Sequence, residues 1–129
     1  MISAAKQIFS TLMNLIRRRT VGSLTYSLRG LRYVSVNEEA VRVELVLLLV
    51  LLPLAFWFGE GAVERVLLAG SALMVLLVEL LNTAIELALD RYSRGHHPLA
   101  GAAKDVGSAA VFIAMIIFAV TWLALLWPG

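Results

Sequence analysis

Three long apolar runs, beginning at Leu45, Val66 and Val106, leave this chain of 129 residues few folds to choose from. The first, Leu45 to Gly59, has fifteen residues without a charge. A helix needs ~20 residues to cross ~30 Å of hydrocarbon, and the amphipathic turn from Ala40 to Glu44 supplies the remainder. Pro53 is tolerable in such a helix, and Trp57, beside the Gly59-Glu60-Gly61 turn, has the position of an interfacial anchor. The second run, Val66 to Leu89, is long enough but carries Glu79, Asn82 and Glu86. The third, Val106 to Gly129, is charge-free and ends in Trp122 and Trp127, again an aromatic belt.

Composition agrees with membrane residence. Hydrophobic residues make up 60% and charged residues 16% of the chain, against about 25% charged in ordinary globular domains. A domain this small buries only about two-thirds of the surface its unfolded chain exposes, so the apolar excess must face lipid or a very large oligomer interface. The expected fold is an all-α membrane protein, a single integral-membrane domain over residues 1–129. An amphipathic surface segment at 1–36 precedes transmembrane helices at about 40–59, 66–89 and 106–127. A net charge of +2 gives no broad basic field for nucleic acid, and the absence of cysteine excludes a disulfide framework or a thiolate metal site.

Basic residues divide unevenly between the connections. Lys6, Arg17, Arg18, Arg19, Arg29, Arg32 and Arg42 precede the first span, and Arg91, Arg94 and Lys104 lie between the second and third, while the opposite side has only Arg65. The positive-inside rule therefore predicts a cytoplasmic N-terminus and second loop, with the Gly59 to Arg65 turn and the C-terminus outside. The start of the chain does not read as a signal peptide, because Ser10, Thr11 and Asn14 interrupt its apolar stretch and no A-x-A site follows. Ile2, Ala5, Ile8, Phe9, Leu12, Met13 and Ile16 recur at helical spacing, which predicts an amphipathic helix on the cytoplasmic leaflet with Arg17 to Arg19 available to anionic headgroups. Gly22 marks an expected break, with a second surface segment from Ser23 to Val36.

Ionisable groups at membrane depth cost roughly 2.5 to 3.5 kcal/mol each on insertion scales, so two carboxylates and an amide in the second span call for a reason. At about 100° per residue, Glu79, Asn82, Thr83, Glu86 and Asp90 share one narrow face. The stripe runs ~16 Å, with Asp90 at the cytoplasmic surface and Glu79 deepest. Asn37, Glu38 and Glu44 immediately before or in the first span, and Lys104, Asp105 and Ser108 at the start of the third, approach the same level. Paired carboxylates suit Mg²⁺, which is usually held by one or two of them together with substrate phosphates. A carboxylate set among Val78, Leu80 and Leu81 is costly to keep charged, which suits a general base. Basic side chains nearby suit phosphate oxygens. The combination fits phosphoryl transfer from a nucleotide to a lipid hydroxyl, although no glycine-rich nucleotide-binding loop is present.

The stretch Glu79-Leu-Leu-Asn-Thr-Ala-Ile-Glu-Leu-Ala-Leu-Asp90 resembles the E-x-x-N-[ST]-[SA]-x-E-x-x-x-D signature of the prokaryotic diacylglycerol kinase family. Asn37-Glu38-Glu39-Ala40, with Arg42 and Glu44, resembles the family's N-E-x-A segment. Ala103-Lys104-Asp105-Val106-Gly107-Ser108-Ala109-Ala110 resembles its A-K-D-x-[GA]-[SA]-A-A segment. The likeness covers the chain from about Arg19, and the first eighteen residues look like an extension or a divergent start. Gly22, Leu28 and Ser35 stand where Gram-negative members carry a basic residue and tryptophans. The resemblance implies an integral-membrane lipid kinase of the bacterial cytoplasmic membrane, forming a homotrimer with active sites shared between neighbouring subunits. It implies Glu79 as the general base, Asn82 orienting the reacting groups, and Glu38 and Glu86 holding Mg²⁺ on the ATP phosphates. Lys104 and Asp105 would contact the nucleotide, with Arg19, Tyr26 and the Gly95-His96-His97 part of the loop completing its pocket. Arg19, Ser23, Leu28, Arg32, Glu79 and Ser108 would touch the lipid.

The function this implies is transfer of the γ-phosphate of ATP to the primary hydroxyl of 1,2-diacylglycerol, giving phosphatidate. An undecaprenol kinase of the same family is the alternative within that chemistry, and an oligomeric proton or cation pathway the alternative outside it. A pathway would need polar groups along the whole second span, and Val66 to Val78 offers only Ser71. Individual residues also have plainer readings. Glu79 could join helices through Asn82, and Asp105 could cap the third transmembrane helix.

Overall fold

The computed structural model describes residues 2–92, 95 and 97–127. They form four helices, α1 (Ile2–Asn37), α2 (Glu39–Phe58), α3 (Ala62–Tyr92) and α4 (Pro98–Leu126), with no strand among the described residues. The chain falls into two units, α1 and the part from Glu38 onward. All three helices of the second unit are long and apolar enough to cross a membrane.

In that unit α3 is central and packs against both α2 and α4. The seam of α2 is Val41, Leu48 and Ala55, and that of α4 includes Gly107 and Ala114. Both step by seven residues, the interval that keeps one face of a helix against its neighbour in a left-handed supercoil. Ala55, Ala72, Gly107 and Ala114 are small, which lets backbones approach where lipid removes the hydrophobic drive between helices. Near its far end α4 is tied to α3 by the Trp122 indole N–H, which donates to the Leu68 carbonyl at 3.1 Å. Only 17%, 28% and 6% of the most apolar stretches of α2, α3 and α4 is buried. The expected surplus of apolar surface is therefore real, and α4 is the least buried of the three.

The α2–α3 corner depends on Gly59. A Cβ there would lie 2.6 Å from Arg65 Cγ and 2.9 Å from the Ala55 carbonyl oxygen. The corner is closed by the Arg65 Nε–H donating to the Gly59 carbonyl and by the Glu60 N–H donating to Glu64 Oε2, each at 3.0 Å. At the other end, Pro98 opens α4 and the His97 Nδ1 accepts from the Leu99 N–H at 3.3 Å. Proline suits the first turn because its missing donor would be unpaired there. Both α3 and α4 thus extend past the apolar runs into polar sequence, α4 by eight residues before Val106. Asp105 consequently lies inside α4 and does not cap it.

α1 departs from expectation. It continues through Gly22 without a break, and no described glycine has a positive φ. One interior glycine costs a helix only about 1 kcal/mol relative to alanine, which the long flanking stretches absorb. α1 carries six basic residues and no acidic one.

Candidate functional site

The polar stripe lies along α3 toward its C-terminal end, as the 3.6-residue repeat requires. Asn82 and Thr83 are buried, Glu79 and Glu86 half-buried, and Asp90 exposed. The Asn82 side-chain N–H donates to Glu86 Oε1 at 3.3 Å, one helical turn on. That bond sets the amide's direction, with Oδ1 turned toward α4. There it meets Gly107, where any Cβ would collide with Asn82 Oδ1. Gly107 is thus the residue that gives Asn82 room to hold this rotamer at the helix contact.

α2 brings further carboxylates to the same place. Glu79 feels the charge of Glu86 on its own helix and of Glu38, the N-cap residue of α2, while Glu44 feels that of Glu79. Four acids from two helices therefore share one electrostatic neighbourhood. The neighbouring cation is Lys104 of α4, whose Nζ lies 2.7 Å from Asp90 Oδ1 and within reach of the charge on Glu86. Asp90 thus ties the end of α3 to α4 across the loop.

Two polar atoms of the cluster, Glu44 Oε2 and Asn82 Oδ1, are buried without a hydrogen-bond partner in the protein. Buried oxygens of this kind are usually satisfied, and repelling carboxylates are stabilised by a cation. Among the described residues no three His, Asp or Glu side chains converge into a metal site made by protein alone. The donor set fits a cation held by two carboxylates that completes its shell with phosphate oxygens and water. Behind Glu44 an apolar cavity of about 340 Å³ opens between α2, α3 and α4, lined by Leu47, Leu51, Val75, Leu76 and Met115 among others.

Glu44 is the residue that the reading of the chemistry passed over. Its signal was present, since it lies three residues after Val41 and four before Leu48, on the inward face of α2. Asp105 and Ser108 of α4 are exposed. His97 caps α4, Gly95 lies in the preceding bend, and His96 falls outside the described residues. On α1, Arg19, Ser23 and Tyr26 line one shallow groove. At 100° per residue Leu28 and Arg32 fall on the other side of that helix, so an unbroken α1 does not present all five to one ligand. The Arg29 guanidinium lies 5.9 Å from the Tyr26 ring centre.

A half-buried carboxylate cluster at one end of three apolar helices, with a lysine beside it and an apolar cavity behind, defines an all-α membrane protein with an interfacial acidic site. Comparison with known proteins gives that class a family. Residues 25–126 match the family described as Prokaryotic diacylglycerol kinase. The protein named Diacylglycerol kinase from Escherichia coli (strain K12) is 46% identical over 109 residues, 84% of this chain and 89% of that one. Those of the same name from Haemophilus influenzae and Pseudomonas aeruginosa are 45% and 42% identical, over 79% and 84% of this chain and 86% and 89% of theirs. The chain belongs to the prokaryotic diacylglycerol kinase family.

Proposed function

We propose that this protein transfers the γ-phosphate of ATP to the primary hydroxyl of 1,2-diacylglycerol, at the cytoplasmic interface of a bacterial membrane. The observation that carries the proposal is the stripe of Glu79, Asn82 and Glu86 on one face of α3, with the Asn82 amide bonded to Glu86, in a chain of this family. Glu79 takes the proton from the lipid hydroxyl as that oxygen bonds to the γ-phosphorus, and the bond from phosphorus to the β,γ-bridging oxygen breaks to release ADP. Asn82 orients the Glu86 carboxylate through its amide. Glu38 and Glu86 would hold Mg²⁺, which when bound supplies charge neutralisation at the ATP phosphates. Lys104 serves the nucleotide as a phosphate-binding cation, with Asp105 beside it and Arg19, Tyr26, Gly95, His96 and His97 as further contacts. Leu28 and Arg32, which share one side of α1, would serve the lipid, as would Ser108. A cavity behind Glu44 suits an acyl chain, since its walls are almost wholly apolar.

The distribution of basic residues supports an N-terminus in the cytoplasm and a C-terminus outside. The sparsely buried α4 leaves apolar surface for the homotrimer that the family resemblance implies. Relatives named Diacylglycerol kinase favour that acceptor over undecaprenol. A transmembrane ion pathway is disfavoured because the stripe stops at Glu79, and the lone Ser71 beyond it is satisfied by the Leu68 carbonyl at 3.0 Å. The test is phosphate transfer from labelled ATP in mixed micelles containing diacylglycerol or undecaprenol. The proposal expects labelled phosphatidate to form faster than the undecaprenyl product, and the reverse order would overturn the choice of acceptor.

A further inference from the structure

We propose that Asp90 is a positioning residue for the nucleotide, its carboxylate holding the Lys104 ammonium where the ATP phosphates would lie against Glu86. This rests on the kinase reading above, which gives Asp90 no task. The Lys104 Nζ donates to Asp90 Oδ1 at 2.7 Å, joining the last turn of α3 to the second turn of α4. Stability does not account for the pair. Its lysine and aspartate side chains are 42% and 64% exposed, and exposed pairs contribute little. A carboxylate in the last turn of a helix also meets the negative end of the helix dipole, so α3 gains nothing from Asp90 alone.

Placement does account for it. Asp90 follows Glu86 by four residues, which sets it on the same face of α3 and about 6 Å further along the axis. Glu86 is engaged by the Asn82 amide at 3.3 Å, and Asp90 is the acid of the stripe that holds Lys104. A lysine loose on its four-carbon stem samples many rotamers, and binding a phosphate costs it that freedom. The ion pair removes much of that freedom before ATP arrives. An ammonium has three N–H donors and the Asp90 bond uses one, so Lys104 can reach phosphate oxygens without leaving its carboxylate. Asp90 also brings a negative charge toward a polyanionic nucleotide. If repulsion outweighed positioning, removing that charge would tighten binding, so the two effects differ in sign.

Calorimetric titration of the full-length protein in detergent micelles with Mg²⁺ and the nonhydrolysable β,γ-imido analogue of ATP measures nucleotide binding without a lipid acceptor. Asp90→Asn is expected to raise the dissociation constant of the analogue and the KM for ATP about two- to tenfold. The KM for diacylglycerol and the melting temperature should stay nearly unchanged, which a merely structural loss would not allow. Asp90→Glu, which keeps the charge, should recover most of the affinity. In a Lys104→Gln background, Asp90→Asn should no longer weaken binding, because the group it positions is gone. Binding by Asp90→Asn as tight as that of the wild type, or tighter, would overturn the inference alone, as would an equal loss in the Lys104→Gln background. A wild-type protein that binds no nucleotide would overturn the kinase reading and this inference with it.

Discussion

Asn82 and Gly107 set the tolerance of the site at the level of single side chains. Asn82 is buried between helices, gives its N–H to Glu86 and turns its oxygen toward the bare Cα of Gly107. A Gly107→Val substitution would drive a branched side chain into that oxygen. Overpacking of this kind costs about 1–3 kcal/mol, so the variant is expected to melt earlier in detergent and to lose turnover as well. Lys104 makes the opposite prediction. Its ion pair with Asp90 is exposed, and such pairs contribute little to stability. Lys104→Gln should leave the melting temperature nearly unchanged while raising the KM for ATP, and an unchanged KM would remove Lys104 from the nucleotide site. The stripe from Glu79 to Asp90 was legible from sequence because spacing alone puts it on one face. The choice of the Asn82 rotamer was not, since it depends on which residue of α4 faces it.

Whole elements were legible to the extent that their determinants are local. The three apolar runs give three helices because lipid demands that every backbone group be satisfied within the segment. Their ends were less legible. The start of α4 at Pro98 rests on a histidine cap and a proline, both outside the apolar run that defined the expected span. Gly22 shows the reverse error, a residue whose weak helix propensity suggests a break that its neighbours override. Gly59 and Gly22 therefore respond differently to alanine. Gly59→Ala is expected to destabilise the α2–α3 corner, because its Cβ meets Arg65 and the Ala55 carbonyl. Gly22→Ala should strengthen α1 by about 1 kcal/mol, seen as slower amide exchange across residues 18–26 in detergent. An unchanged rate there would mean that α1 is already broken at Gly22 in detergent.

At the scale of the molecule, the unusual feature is how little of it is packed. α4 buries only 6% of its most apolar stretch, so most of what holds this chain in place is lipid or another copy of itself. Composition shows that surplus and cannot divide it between the two, because lipid and a partner helix reward the same residues. The trimer implied by family resemblance predicts that cysteines placed two per chain on the exposed surface of α4, a chain otherwise free of cysteine, will cross-link into species no larger than three chains. A ladder extending beyond three would contradict it.

The same scarcity of charge isolates the chemistry. Away from their ends, α2 and α3 carry only Glu44, Glu79 and Glu86 as acids, and the last two share a face of α3 with Asn82. The central claim is that Glu79 acts as the base, and the most direct measurement is labelled phosphate transfer to diacylglycerol by a Glu79→Gln variant. General-base catalysis contributes about 10²–10⁴-fold. Turnover is therefore expected to fall by that factor, with the melting temperature and the KM for ATP little changed. Near-normal turnover by this variant would contradict the assignment and leave Glu79 a structural residue.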